Sequence, residues 1–311
     1  MRKLKKRILV VLGGNSQERK VSLETGKACI NSIRKLGYHV QVFDPANKSF
    51  FKISDLKIDI IFNALHGRDG EDGNAQSYFE YLKIPYTHSG VLASMNAMDK
   101  SISKIIFKKK KILTPLHFII KSFDYRKNIL REYIKTKKLK FPIVVKPTNE
   151  GSSIGVHICK NINNLDNTTK MLFKKYDNLI FENFIAGQEV QVALMNGKAI
   201  GAIELKPKRS FYDYKAKYLK SAKTSHIIPA NITKKNSAKV FKISEKAHKS
   251  LNCRGVTRCD FKFFKNKFYL LEINTQPGMT NLSLVPEIAK HNGISFDMLI
   301  NNIILDASIN K

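Results

Sequence analysis

Several features that would assign a chain to a common structural class are missing from this sequence of 311 residues. Its four cysteines have no C-x-x-C spacing, which argues against disulfides and against a zinc site. No apolar run reaches the length of a membrane-spanning helix. The first apolar stretch lacks the G-x-G-x-x-G of a dinucleotide site, and no Walker A loop is present. We therefore expect a protein of the reducing cytoplasm with no membrane partner.

Acidic residues are scarce, since 25 Asp and Glu stand against 55 Lys and Arg, for a net charge of +30. Such a charge is typical of nucleic-acid-binding proteins, which stay as an alternative from another functional class. The lysines are nevertheless spread along the chain, and the densest runs, 108–111 and 135–140, flank apolar segments as a solvated helix surface does. RNA-binding aromatic motifs, zinc fingers and basic zippers are missing. We interpret the charge as compositional bias and predict no nucleic-acid partner.

The first hundred residues have the alternation of an α/β protein. The opening MRKLKKRILVVLGG combines charge with an apolar run too short for a signal peptide, which indicates a buried strand instead. Strands are predicted at 7–12, 39–43 and 58–63, with a helix that Ser22 caps and Gly37 ends between the first two. This order indicates a parallel sheet with crossover helices.

Functional groups of such a sheet lie in loops at the carboxyl ends of its strands. Those loops carry Glu18 and His66, although the spacing alone favours a solvated acid and a hydrogen-bonded turn histidine. Further along, a strand ends at Lys146 and leads into a Gly-Ser loop at 150–153. Its small residues let backbone N–H groups close over phosphates, although many hairpins also have such turns.

Two helices and one long loop complete the outline. A helix is predicted from Ser94 to about Lys110, and Ser295 is expected to cap a C-terminal helix whose apolar residues follow helical spacing. The polar stretch 206–226, rich in Tyr and Lys, is long enough to be a functional lid. A disordered insert and a nucleic-acid-binding loop are the alternatives.

The stretch from residue 255 to 284 predicts a β-hairpin that carries charge. Two apolar runs, GVTRCDFKFF and FYLLEIN, flank a turn that we expect to be three residues long. Asp260 then faces Glu272, and Arg258 faces Asn274, all on one side of the sheet. Two carboxylates and a carboxamide suit Mg²⁺, whereas simple ion pairs with Arg258 are the alternative.

Seven segments recur in the order and spacing of one known family, and jointly they are specific. They are LGGNSQERKVSLETG, ALHGRDGEDG, IPYTHSGVLASMNAMDK, VVKPTNEGSSIGV, FYDYKAKY, GVTRCDF and LLEINTQPGMTNLSLVP. With them the chain resembles the D-alanine–D-alanine ligases of the ATP-grasp superfamily. That family joins two D-alanines with ATP, through an acyl phosphate, to make the dipeptide of peptidoglycan precursors.

The resemblance implies an α/β fold, α+β in places, with the three domains of the ATP-grasp architecture. Residues 1–100 would form an N-terminal, Rossmann-like parallel-sheet domain with the first D-alanine site. Residues 101–186 would form the central domain, and 187–311 the C-terminal domain with the lid and the metal site. ATP would lie between the last two domains.

The resemblance also implies a role for each of the residues singled out above and for several more. The implied ligands of two Mg²⁺ or Mn²⁺ ions are Asp260, Glu272 and Asn274. The implied catalytic residues are Glu18, Ser152, Lys217, Tyr218, Arg258 and Gly278. The implied D-alanine contacts are Glu18, His66, Arg258, Ser283 and Leu284. The implied ATP contacts are Lys100, Lys146, Ser152, Ser153, Glu182, Phe184, Ile185, Glu189 and Lys217.

Some positions bear on the acceptor or depart from the family. Relatives that make D-alanyl-D-lactate usually carry His in the lid, so Tyr218 favours an amine acceptor over D-lactate. D-Serine and a non-catalytic relative are further alternatives. The chain departs from the usual motifs at Asn183 (often Lys), at Gln276 (often a small residue) and at 281–282 (often Ser-His). A cytoplasmic homodimer is also expected.

Overall fold

The parallel sheet predicted near the N-terminus is present and is the first of three sheets within the described residues. The computed structural model describes residues 6–126, 128–206, 224–280 and 283–309, so Lys217 and Tyr218 lie outside the described residues. The first elements are β1 (Arg7–Val11), α1 (Arg19–Lys35), β2 (His39–Phe43), β3 (Ile60–Asn63), α2 (Asn74–Tyr81), α3 (Val91–Met98) and α4 (Lys100–Lys109). The strands pair in parallel in the order β2-β1-β3.

Strand β1 is apolar and buried from Ile8 to Val11 because both faces of this sheet are covered. Ile8 and Val10 pack into one hydrophobic core, and Leu9 and Val11 pack into a second on the opposite face. The first of these cores also contains side chains from the C-terminal half of the chain, among them Val285. The parallel sheet is therefore bound to the rest of the protein by apolar packing.

The helix after β1 begins earlier than the sequence predicts. It starts at Arg19, so the prediction that Ser22 caps it is wrong, whereas Gly37, at φ 81°, follows its end as expected. Ser22 is fully buried, and its hydroxyl needs partners there. It accepts a hydrogen bond from the Gly13 N–H at 2.8 Å and donates one to the Ala64 carbonyl at 2.7 Å. The hydroxyl thus ties the loop after β1 to the end of β3.

The single helix predicted from residue 94 to 110 is in fact two helices. The chain leaves the helical conformation at Asp99, whose carboxylate accepts hydrogen bonds from the N–H groups of Ser101 and Ile102. Capping of this kind satisfies N–H groups that have no partner within the helix. The break therefore makes Lys100 the first residue of α4 and sets the direction of its side chain.

The other two sheets are antiparallel. The four-stranded sheet has the order β4-β7-β5-β6, and the five-stranded sheet has the order β10-β9-β8-β11-β12. The elements of the middle of the chain are β4 (His117–Lys121), α5 (Ile129–Thr136), β5 (Ile143–Pro147), β6 (His157–Cys159), α6 (Ile162–Phe173) and β7 (Asn178–Asn183). The remaining elements are β8 (Gln188–Met195), β9 (Lys198–Lys206), β10 (Ser225–Ile227), α7 (Lys234–Ser250), β11 (Val256–Phe264), β12 (Lys267–Asn274), α8 (Leu284–His291) and α9 (Phe296–Leu305).

The charged hairpin of β11 and β12 has the predicted partners but not the predicted turn. The turn is two residues long, with Lys265 at φ 48° and Asn266 at φ 58°. A regular ladder from such a turn would place Glu272 on the face opposite to Asp260. A β-bulge after Asp260 shifts the register, so that Asp260 faces Glu272 after all. The bulge, rather than a longer turn, brings the two acids together.

The C-terminal helix agrees with its prediction. Ser295 caps α9 by accepting a hydrogen bond from the Met298 N–H, and the buried side chains of the helix, Leu299, Ile300, Ile303 and Ile304, join the core beneath the parallel sheet. Within the residues that the structure describes, every helix is too short or too polar to cross a membrane.

Gln276, one of the departures from the family motif, is buried and links the segment after β12 to the end of β3. Its Nε2 donates to the Leu65 carbonyl, and its Oε1 accepts a hydrogen bond from Asn63 Nδ2 at 2.9 Å. Both partners lie at the carboxyl end of β3, while Gln276 follows β12. A small residue at this position would be too short to reach them.

We therefore predict that Gln276→Ser lowers the free energy of unfolding by about 1–3 kcal/mol, because buried partners lose their hydrogen bonds. Gln188→Ser is the matched control, since the Gln188 side chain donates to Asn231 at the surface; it should cost about 0.5 kcal/mol or less. Denaturant unfolding of both variants measures the difference. Equal losses would show that Gln276 is not a structural link.

Candidate active site

Two adjoining cavities bring the predicted site residues together, and they share Lys100, Glu150 and Glu272. The first cavity is also lined by Glu18, His66, Ser152, Arg258, Asn274, Gly278, Ser283 and Leu284. The second is also lined by Lys146, Ser153, Glu182, Phe184, Ile185, Glu189 and Asp260. Every predicted site residue within the described ranges thus lines one of the two cavities.

Glu18 lies where the loop after β1 meets the Gly-Ser loop between β5 and β6. The residue is only 6% exposed, and its carboxylate accepts a hydrogen bond from Ser152 Oγ. A Cβ atom on Gly67 would lie 2.7 Å from Glu18 Oε2, so glycine at φ 72° is required beside the carboxylate. Ser152 and Ser153 have φ of 48° and 62°, a strained conformation that concentrates at ligand sites.

The loop that carries Glu18 is anchored by an ion pair behind it. Arg19 Nη2 lies 2.7 Å from Asp44 Oδ2, and the same carboxylate accepts a hydrogen bond from the Gly14 N–H at 3.0 Å. The hydrogen bonds from Arg19 hold the pKa of Asp44 below its usual value. Asp44 stays ionised at neutral pH and holds the loop in place. Neither anchor residue was singled out from the sequence.

His66 is a buried imidazole between two polar partners. Its Nδ1 lies 2.6 Å from Glu71 Oε1, and its Nε2 lies 3.1 Å from Thr25 Oγ1. Burial lowers the pKa of His66, but the hydrogen bond and charge of Glu71, with the charge of Glu18, outweigh it and raise the pKa overall. Glu71 was missed from the sequence, although it lies in the same HGRDGEDG segment.

On the hairpin, each carboxylate has a cation beside it. Arg258 forms a bidentate pair with Asp260, with Nε–Oδ1 at 2.7 Å and Nη2–Oδ2 at 2.9 Å. Lys100 Nζ lies 3.4 Å from Glu272 Oε2 and donates a hydrogen bond to the Glu150 carbonyl at 2.6 Å. The ion pair that the sequence left open as an alternative is therefore present at Asp260.

The donor set on the hairpin fits Mg²⁺ that is bound jointly with phosphates. Asp260 and Glu272 supply hard carboxylate oxygens, and Asn274 adds a carboxamide oxygen that also accepts the Gln276 N–H at 2.8 Å. Within the described parts of the chain, no three His, Cys, Asp or Glu side chains form a metal cluster of their own. Three ligands of which only two are acidic leave positions for substrate oxygens, which is how Mg²⁺ is usually held.

The first cavity is bounded on one side by the loop after β12. Gly278 lies beside Ser283, because a Cβ on Gly278 would be 3.0 Å from Ser283 Oγ. That hydroxyl accepts a hydrogen bond from the Thr280 N–H at 2.9 Å, while the Met279 N–H donates to Thr25 Oγ1 at 3.3 Å. The loop is thereby tied to α1 and, through Thr25, to the His66 imidazole.

The second cavity has two buried acids, Glu182 at the end of β7 and Glu189 at the start of β8, on strands that belong to different sheets. Glu189 Oε2 accepts a hydrogen bond from Lys262 Nζ at 2.9 Å across the β8–β11 pair. Glu182 Oε2 lies 3.3 Å from Lys146 Nζ. The lining of this cavity also includes apolar side chains, among them Leu271, the extra residue of the bulge. Sequence reasoning missed Leu271, because regular alternation would not place it beside Glu272.

Comparison with known proteins agrees with this geometry. Family models described as the D-ala D-ala ligase N-terminus and C-terminus match residues 43–89 and 111–305. A D-alanine–D-alanine ligase of Pelagibacter ubique is 56% identical over 98% of this chain and 99% of its own. The ligase of Bacillus anthracis has a crystal structure with a TM-score of 0.86 and 33% identity over 97% of each chain.

A second Bacillus anthracis structure, complexed with ATP, has a TM-score of 0.84 and 31% identity over 97% of each chain. With an identity of 56% over almost the whole length, the chain belongs to the D-alanine–D-alanine ligase family, whose ATP-grasp fold it shares.

Proposed function

We propose that this chain joins two D-alanines to D-alanyl-D-alanine for peptidoglycan precursors, with ATP converted to ADP and phosphate. The observation that carries this proposal is that the two cavities meet at Lys100, Glu150 and Glu272. The first cavity has charged groups suited to an amino acid, and the second has apolar side chains as well as acids, suited to a nucleotide. Their junction is where a phosphoryl group would pass from one to the other.

The chemistry requires an activated carboxylate, because a free carboxylate is a poor electrophile. An oxygen of the first D-alanine carboxylate attacks the γ-phosphorus of ATP, which forms D-alanyl phosphate and releases ADP. The amine of the second D-alanine then attacks the carbonyl carbon, loses a proton and expels phosphate. Negative charge develops on the phosphoryl oxygens and later on a tetrahedral oxyanion, so fixed cations and N–H donors stabilise both steps.

In the first cavity, we assign the ammonium of the first D-alanine to Glu18, with His66 nearby. Arg258 and the backbone N–H of Gly278 would stabilise the oxyanion, since both line the same cavity. Ser283 and Leu284 would bind the carboxylate of the second D-alanine. Ser152, hydrogen-bonded to Glu18, would join the first site to the lid through Tyr218.

In the second cavity, we assign Lys100, Lys146 and the Gly-Ser loop with Ser153 to the phosphates of ATP. Glu182 would accept a hydrogen bond from the adenine amino group, and Glu189 would bind the ribose hydroxyls. Phe184 and Ile185 would contact the adenine ring, and Lys217 of the lid would contact the transferred phosphoryl group. The buried, paired state of both acids supports these roles, because the lysine beside each one holds its carboxylate in place.

Two Mg²⁺ ions on Asp260, Glu272 and Asn274 complete the proposal, and Mn²⁺ has the same ligand preference. When bound, such ions supply positive charge to the phosphoryl oxygens. We retain the division into domains at 1–100, 101–186 and 187–311, the cytoplasmic location and the absence of a nucleic-acid partner as predictions. Tyr218 favours an amine acceptor, so D-lactate is predicted to be a poor second substrate.

An assay of ADP and phosphate release tests the function directly. With ATP, Mg²⁺ and D-alanine as the sole amino acid, we expect ADP and D-alanyl-D-alanine in equal amounts, the dipeptide being identified by mass spectrometry. L-Alanine is the control and should give background release. A preference for D-lactate at neutral pH, or salt-sensitive DNA binding without ATP turnover, would contradict the proposal.

Glu272→Gln tests the metal assignment. The substitution keeps the shape of the side chain but removes a carboxylate, so we expect kcat to fall by about two orders of magnitude or more, since fixed charges provide most of the stabilisation. The free energy of unfolding should change little, because Glu272 is partly exposed. Glu132→Gln, at an exposed surface pair, is the matched control and should retain full turnover. Turnover close to that of the unaltered chain in Glu272→Gln would place the metal centre elsewhere.

We also propose that the chain forms a homodimer. Phe51 and Tyr81 are 74% and 79% exposed and pack around Tyr78 in an aromatic cluster at the surface of the N-terminal region. Large exposed apolar side chains that cluster are typical of surfaces covered by a partner. Light scattering should give twice the mass of one chain. A single-chain mass at micromolar concentration would refute the dimer and leave the catalytic proposal intact.

A further inference from the structure

Lys104 is a buried lysine to which the proposed reaction gives no role. It lies on α4, is fully buried and lines neither of the two cavities. Lysine is almost never fully buried without a partner, because an ammonium group loses much hydration energy in the interior. Its Nζ lies 3.0 Å from Glu182 Oε1. Because burial costs this lysine much hydration energy, we expect it to have a function.

Glu182 is shared between two lysines of different kinds. Oε1 faces Lys104, which is sealed from both cavities, and Oε2 faces Lys146, which lines the second cavity. Across the β4–β7 pair, His117 lies opposite Glu182; burial lowers its pKa, so it is neutral at physiological pH. One carboxylate thus has two ammonium partners, of which only Lys146 is open to a ligand.

The second ammonium group beside Glu182 becomes important when the phosphates of ATP bind. When Lys146 turns to a phosphate, as proposed above, Glu182 loses one of its two counter-charges. A buried carboxylate with no cation beside it would take up a proton, because low-polarity surroundings disfavour the charged form. Lys104 remains beside Oε1 and prevents this. Although burial works against the charge of Glu182, the two lysines outweigh it and lower the pKa of Glu182 to about 2.

The protonation state of Glu182 decides which base it can bind. An ionised carboxylate only accepts hydrogen bonds, whereas a protonated one can also donate. Adenine presents an amino group, a donor, where guanine presents a carbonyl oxygen, an acceptor. Ionised Glu182 therefore binds adenine and repels guanine, and a protonated Glu182 would lose that preference.

We propose that Lys104 is a positioning residue that keeps Glu182 ionised and in place, and that it thereby sets the preference of the second cavity for adenine over guanine. This inference rests on the nucleotide site of the proposed function but not on the ligase reaction. Lys104 touches no substrate, and its effect passes through the Glu182 carboxylate alone.

Binding of ADP and GDP to Lys104→Met, measured by calorimetry with Mg²⁺ and without D-alanine, is the test. The preference for ADP over GDP should fall about tenfold or more, since hydrogen bonds to charged groups are worth that much. In turnover assays KM for ATP should rise while kcat and KM for D-alanine stay within about threefold. Lys109→Met, at an exposed position of the same helix, is the matched control and should leave every value unchanged.

The pH dependence distinguishes positioning from a purely structural role. The preference for ADP in the unaltered chain should be flat from about pH 8 to about pH 5, because Glu182 stays ionised. In Lys104→Met the pKa of Glu182 rises, so the preference should decline as the pH falls. The phosphates of both nucleotides titrate alike, and their effect cancels in the ratio.

A double variant checks that Lys104 acts through Glu182. In a Glu182→Gln background, Lys104→Met should change the ADP-to-GDP ratio by less than about twofold, whereas independent effects would add. Lys104→Gln, which removes the charge but keeps a donor, is measured beside it in case the Met variant does not fold. An unchanged ratio in either folded variant, or additive effects, would overturn the inference. ADP preference in a chain that makes no dipeptide would refute the ligase reaction alone.

Discussion

The bulge that places Asp260 opposite Glu272 is the constraint on which the rest of the site depends. It puts two carboxylates on one face of a rigid hairpin, where their mutual repulsion requires nearby cations. Arg258 supplies one from the same strand, and Lys100 supplies the other from the start of α4. The break at Asp99 serves the same arrangement, because it makes Lys100 the first residue of α4, where its side chain lies beside Glu272.

The same balance of charge extends from the hairpin to the other two sheets. Glu18, in the loop after β1, is held against the Gly-Ser loop of the four-stranded sheet. Glu182 and Glu189 are each paired with a lysine. Buried carboxylates are thus distributed around two cavities, each fixed by a neighbour before a ligand arrives. Such a preorganised site avoids the cost of reorienting dipoles during the reaction. Some of the lysines behind the net charge of +30 therefore pair with these buried carboxylates, although most of the lysines remain on the surface.

The sequence predicted the order of the elements and the membership of the site better than it predicted local geometry. The parallel sheet followed from the alternation of strand, helix and strand, and the site residues from motifs that lie in loops after strands. The predictions of a three-residue turn, of a helix cap at Ser22 and of a single helix from Ser94 to Lys110 were wrong, because each depends on which hydrogen bonds form in the folded chain. The burial of Lys104 was not predicted for another reason. In an amphipathic helix rich in lysine, no local feature of the sequence distinguishes a buried ammonium group from a solvated one.

Gln276 and Lys104 show how residues that touch no substrate can affect such a site. Groups that touch substrates are constrained by the reaction, so their types follow from family motifs. Gln276 and Lys104 are instead constrained by buried partners, the Leu65 carbonyl in one case and the Glu182 carboxylate in the other. A buried polar group is costly unless it is satisfied, and satisfying it fixes the geometry of both partners. Residues behind the cavities can therefore determine how rigidly the reacting groups are held. They can also determine which nucleotide base the site prefers.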